Sequence, residues 1–147
     1  MSNQSLKAAS NIVWVDLEMT GLEIEKGDVI MEIACLVTDA SLNVLGEGID
    51  LVISCSDEQL NNMNDWCTKH HGESGLTEKC RNSKITLQEA ENIVMEYISN
   101  YTIERKNPLA GNSIHNDKLF LRKFMPKFDQ YLHYRIIDVS SIKELSM

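Results

Sequence analysis

Asp16 and Glu18 stand two residues apart at the end of the apolar run Ile12-Val13-Trp14-Val15. In a strand that spacing puts both carboxylates on one face, with Leu17 on the other. Like charges side by side are unfavourable, and burial without a counter-charge is worse. A divalent cation relieves both problems, and hard oxygen donors of this kind suit magnesium or manganese. The chemistry this points to is metal-dependent phosphodiester hydrolysis; the plain alternative is a strand running into a solvated acidic loop.

A third acid, Asp117, follows Gly111-Asn112-Ser113-Ile114-His115-Asn116, where a strand turns into a helix. The helix dipole alone favours an acid there. Backbone N–H groups and the Ser113 hydroxyl could equally meet a phosphate at that helix end. Asp138, after Ile136-Ile137, reads as the cap of a helix beginning at Ser140 or Ser141. Arg135 is either a bidentate phosphate partner or surface cover. Trp66 is either a core residue or a stacking surface for a base.

These residues need elements to hold them. A first strand is predicted over about residues 11 to 17, a polar loop from Thr20 to Asp28, and a second strand from Val29 to about Thr38. A turn at 39–43 leads to a third strand near Ile49 to Ile53, giving an antiparallel three-strand meander. Asp57 reads as a helix N-cap, with Leu60, Met63 and Trp66 or Cys67 at helical spacing and Gly72 and Gly75 interrupting. Thr86-Leu87-Gln88-Glu89 has the form of a capping box, before a stripe of Ala90, Ile93, Val94, Tyr97 and Ile98. Leu109-Ala110 is a short buried strand ending at Gly111. Asn116 caps a helix carrying Leu119, Phe120, Phe124 and Met125, which Pro126 helps to terminate. Ile136-Ile137 is a further strand, and Val139, Ile142 and Leu145 begin a helical stripe that stops at Met147. Strands followed by alternating helices and strands make an α/β fold with a mixed sheet.

The 147 residues (16.7 kDa) suffice for one domain, and 43% hydrophobic and 24% charged residues are ordinary for a globular protein. Residues 1–10 are expected to lack order, with the domain over residues 11–147. No stretch is apolar enough for a membrane span or a secretory signal, so no membrane partner is expected. The compartment expected is the cytoplasm; the first ten residues hold one Lys and no Arg, a poor presequence, with the mitochondrion kept as the alternative. The four cysteines, Cys35, Cys55, Cys67 and Cys80, are expected to be reduced. Cys67, His70, His71 and Cys80 lie close in sequence but lack the paired spacing of a structural zinc site. A net charge of −8 argues against general affinity for long nucleic acid, and favours substrates with few phosphates.

Val13-Trp14-Val15-Asp16-Leu17-Glu18-Met19-Thr20-Gly21-Leu22 resembles the first motif of the oligoribonucleases, in the DEDDh group of 3′-to-5′ exonucleases. Gly111-Asn112-Ser113-Ile114-His115-Asn116-Asp117 resembles their second motif. Asp65-Trp66-Cys67, Ser74-Gly75-Leu76 and His133-Tyr134-Arg135-Ile136-Ile137-Asp138-Val139-Ser140 are similar to oligoribonuclease sequence too. The likeness runs from about Asn11 to the last residue and is closest to the eukaryotic small-fragment nucleases. It implies an RNase H-like exonuclease fold and a homodimer that degrades dinucleotides and other very short RNAs from the 3′ end by two-metal hydrolysis. By position, Asp16, Glu18 and Asp117 would be the catalytic, metal-binding acids, with Mg²⁺ or Mn²⁺ as cofactor. Leu22 and Trp66 would bracket the bases, with His71 nearby. Ser113, Arg135 and Ser140 match residues that hold the terminal 5′ phosphate, and Tyr134 matches an aromatic contributed across the dimer.

The family pattern also requires a third motif, a His followed five residues later by an Asp, beyond the Asp138 region. Val139 to Met147 contain neither. The expectation is an exonuclease domain cut short, with its C-terminal helices missing, three of its four metal acids, and no general base. Two functional readings follow: a short-RNA exonuclease weakened in this chain, or a non-catalytic product that binds short RNA or pairs with an intact subunit.

Overall fold

The computed structural model describes residues 6–146. Alternating side chains make β1 (Ile12–Met19): Val13, Val15 and Leu17 are buried, whereas Asp16 and Glu18 face outward. β1 pairs antiparallel with β2 (Ile30–Thr38), and β2 with β3 (Val44–Val52). On its other side β1 pairs in parallel with the short β4 (Leu109–Gly111), which pairs with β5 (Ile136–Asp138). The sheet order is β3-β2-β1-β4-β5. This is the mixed α/β sheet with an antiparallel meander that the sequence predicted.

The main core lies where Val13, Val15, Leu17, Ile33, Cys35 and Val37 meet α4 (Leu87–Ser99), α5 (Ile114–Phe124) and α6 (Pro126–Tyr131). Thr86 accepts the Glu89 N–H and caps α4, as its sequence form predicted. A second cluster, built on Met31, Cys55, Leu60, Cys67, Leu76 and Cys80, packs under α1 (Asp57–Asn61), α2 (Asp65–Ser74) and α3 (Leu76–Asn82). All four cysteines are buried and unpaired. The face carrying Trp14 and Asp16 borders an open groove of about 580 Å³, also lined by Ala34, Leu36, Asp50 and Val139.

Several elements differ from expectation. β3 starts at Val44 rather than near Ile49, because Leu45 and Val44 pair with Val37 and Thr38 despite the glycines at 46 and 48. The helix expected after Asp57 is three helices. Ser56 caps the first through a capping box with Gln59, Asn64 caps the second, and Gly75, in the left-handed region at φ 84°, separates the second from the third. α5 begins at Ile114, two residues before Asn116. Pro126 does more than end α5: it opens α6, whose first N–H groups, on Lys127 and Phe128, are taken by the buried Glu91 of α4. α7 (Val139–Leu145) is capped by Asp138, as predicted. Of the N-terminal segment expected to lack order, residues 1–5 lie outside the described residues. Residues 6–10 are tied to the domain: the Asn11 side chain donates to Leu6 O and the Asn107 side chain to Ala8 O.

Gly111 is required where β4 turns into α5. A Cβ there would lie 2.6 Å from the backbone oxygen of Val15 and 2.9 Å from Ile114 Cδ1. Gly111→Ala is therefore expected to destabilise the domain by about 2 kcal/mol, within the range for overpacking. Urea unfolding checks this, and an unchanged midpoint would contradict it.

Candidate active site

β4 is only three residues long and pairs with β1 only at Val13 and Trp14. The amide of Val13 bonds Pro108 on that side, and alternation turns the Leu17 amide the same way, beyond the end of β4. Asp117 takes it: the Leu17 N–H donates to Asp117 Oδ2 at 3.1 Å, inside the protein. Asp117 sits in the first turn of α5, where the N–H groups and the helix dipole favour a carboxylate. The bond fixes a third carboxylate beside the two on β1.

The electrostatics record how close the three are. Burial raises the Asp117 carboxyl to about 6; the Leu17 amide opposes that, and the charges of Asp16 and Glu18 add to it. Glu18 is raised too, first by burial and then by Asp16, with His71 opposing. Glu32 stands directly across from Glu18 on β2. Burial, a hydrogen bond to Asp50 and the nearby Glu18 push Glu32 up to about 7. Among the described residues no three His, Cys, Asp or Glu side chains already converge closely enough to hold a metal ion. The donor set nonetheless fits one: Asp16, Glu18 and Asp117 are hard carboxylates that repel one another, which a divalent cation would relieve.

The segment after β1 is organised by Asp28. Its carboxylate accepts the Thr20 hydroxyl and the Glu23 N–H, while the Thr20 oxygen accepts the Val29 N–H. This loop carries Leu22, 65% exposed. A cavity of about 400 Å³ beside Glu18 is lined by Trp66 and His71, and also by Glu32, His70, Ser74 and Lys79; Leu22 is not among its lining residues. His71 is buried, with Nε2 2.9 Å from the Met19 carbonyl. A carbonyl only accepts, so Nε2 carries the hydrogen and α2 is pinned to the end of β1.

A second node gathers around Asp138. Its Oδ1 accepts the Ser113 N–H at 3.1 Å, the Ser140 N–H at 3.0 Å and the Ser140 hydroxyl at 2.5 Å, while Oδ2 pairs with His115 Nδ1 at 3.0 Å. Bonds from Ser140, then His115, hold the Asp138 carboxyl down at about 2. Ser113 and Ser140 are thus brought together, with Ser113 in the left-handed region at φ 50°. Tyr134 and Arg135 lie on the exposed segment before β5, the guanidinium 5.7 Å from the Tyr134 ring centre, and His133 stacks on that ring. The structure does not draw them to the cavity beside Glu18. Glu32 and Lys79 carry no assignment from the sequence, and His70 and Asp138 are read there only as part of a rejected zinc cluster and as a helix cap, since strand register and side-chain stacking are set by the fold.

The five-stranded mixed sheet thus carries carboxylates at the end of β1 and in the first turn of α5. The sequence model of the RNase T exonuclease family matches residues 13–147. The fold is shared with Escherichia coli exonuclease I in complex with a dA16 oligonucleotide, at a TM-score of 0.63 and 16% identity over 84% of this chain and 25% of that one. A probable oligoribonuclease of Dictyostelium discoideum is 61% identical over 94% of this chain and 72% of its own length. The mitochondrial oligoribonuclease of Homo sapiens is 57% identical over 93% of this chain and 57% of its own length, so the chain spans little more than half of that relative. The chain belongs to the exonuclease family, among its oligoribonucleases. No described helix is long and apolar enough to cross a membrane.

Because the Asp117 pKa is about 6 in the fold and about 3.9 unfolded, the native state binds the extra proton. Stability from this group is lost as pH rises from about 4 through 6. Asp117→Asn keeps an oxygen for the Leu17 N–H and removes the charge. In chelator it should raise Tm by a few degrees at pH 7.5 and leave it nearly unchanged at pH 4. Scanning calorimetry at both values checks this; equal shifts would contradict it.

Proposed function

We propose that this chain carries the site of a 3′-to-5′ exonuclease acting on very short RNAs, dinucleotides above all, and releasing nucleoside monophosphates. The observation that carries the reading is the tie between Leu17 and Asp117, which joins a third carboxylate to Asp16 and Glu18. These three would hold divalent cations, Mg²⁺ or Mn²⁺, which when bound lower the pKa of water and stabilise the departing 3′ oxygen. Trp66 offers an exposed indole beside Glu18 for a base, and Leu22 the opposing apolar surface. Ser113, Arg135 and Ser140 would hold a terminal 5′ phosphate, with Tyr134 reaching across a homodimer. Such a phosphate clamp closes the end through which a longer strand would continue, which agrees with the chain's net charge of −8.

Asp138 refines that assignment. The Ser113 amide and both donors of Ser140 are engaged by its carboxylate, so Asp138 orients these two serines, and the Ser113 hydroxyl and Arg135 are the groups left to meet the phosphate.

Within these 147 residues no His–x4–Asp follows Asp138, so the residues described supply no general base of the family's kind. A polypeptide of these 147 residues alone is expected to hydrolyse RNA slowly. A second reading, binding of short RNA or pairing with an intact subunit without turnover, draws on the same gap; only it predicts titratable inhibition when this chain is mixed with a complete enzyme.

Hydrolysis of a 5′-labelled RNA dinucleotide with Mn²⁺ is the test. The 147-residue chain should turn over slowly, Asp117→Ala should abolish the residue of activity, and appending a segment with the third motif should raise it about 10²- to 10⁴-fold. No gain on extension would overturn the nuclease reading. Full turnover by the 147 residues would overturn the need for the third motif.

A further inference from the structure

Trp66 and His70 are four residues apart on α2, a spacing that sets one side chain over the other. Their rings meet at 3.9 Å between centroids, with 33° between planes. Trp66 is 65% exposed, so most of its surface is not fixed by packing. One residue further along, Cys67 and His71 are buried and anchor the helix. α2 is thus fixed on one side, while the Trp66–His70 pair borders the cavity of about 400 Å³ beside Glu18.

We infer that His70 is a positioning residue: its imidazole backs the Trp66 indole and holds it ready to stack on a nucleobase of the substrate. The inference rests on the nuclease reading above and concerns the base end of the ligand, away from the reacting phosphate. An exposed indole with no backing samples several rotamers, and freezing it on binding weakens affinity. A ring beneath it removes that loss before the ligand arrives and leaves the opposite face of the indole for a base, giving a stack of imidazole, indole and nucleobase.

Calorimetric titration of the whole chain with a 5′-phosphorylated RNA dinucleotide in Ca²⁺ tests this. His70→Ala should raise Kd roughly two- to tenfold. His70→Phe, which keeps a ring, should stay near the wild type. A dinucleotide lacking its bases should bind wild type and His70→Ala alike. In a Trp14→Phe background, Trp66 fluorescence anisotropy should fall in His70→Ala and recover in His70→Phe. An unchanged Kd in His70→Ala, an equal loss with the base-free ligand, or an unchanged anisotropy would overturn the inference while leaving the nuclease reading intact. A wild-type chain with no affinity for the dinucleotide would overturn both.

Discussion

The site depends on a strand that stops early. β4 ends after three residues, and the β1 amide beyond it, that of Leu17, would be a buried donor without a partner. Asp117 supplies the partner from the first turn of α5. One hydrogen bond therefore does two things: it completes the backbone pairing of the central strand, and it brings a third carboxylate to a pair that already repel each other. Burial and those neighbours raise Asp117 to about 6. The fold bears this electrostatic cost from a core on the other face of β1, where Val13, Val15 and Leu17 pack against α4, α5 and α6. Gly111 permits the approach, since any side chain there would strike the β1 backbone.

The surroundings follow the same division between anchoring and presentation. On α2, buried Cys67 and His71 fix the helix, and His71 bonds the carbonyl of Met19 at the end of β1. The neighbouring positions then face the cavity beside Glu18. At the other end, the parallel strands β4 and β5 finish side by side, so the turns that leave them meet. Asp138 gathers those turns, binding Ser113 from one and Ser140 from the other, with its second oxygen against His115 Nδ1. The Asp138 region exists because the short parallel strands β4 and β5 lead directly into α5 and α7 at one edge of the sheet.

Much of this was legible in the sequence because its signals are local. Alternation at Val13, Val15 and Leu17 set the face of Asp16 and Glu18, and Thr86 and Asp138 were readable as helix caps. Signals that depend on partners were not. The early start of β3 rests on pairing with β2 across glycines that weaken a strand locally. The break between α1 and α2 rests on the Asn64 cap within a segment of weak periodicity, whereas the one between α2 and α3 falls at Gly75, a glycine that marks an interruption in the sequence itself. α6 is held at its start by Glu91, thirty-six residues away from Lys127. Within the site, Glu32 came to light only with the register that sets it opposite Glu18, and His70 only with the stack on Trp66.

Asp16, Glu18 and Asp117 are proposed to act together as one cation site. Titration of the chain with Mn²⁺, followed by the loss of its free-ion electron paramagnetic resonance signal, measures this without any need for turnover. Binding should be saturable and should weaken about tenfold or more in each of Asp16→Asn, Glu18→Gln and Asp117→Asn, as expected when one charged ligand is lost from a carboxylate site. Binding that is unaffected by all three substitutions, or absent in the wild-type chain, would contradict it.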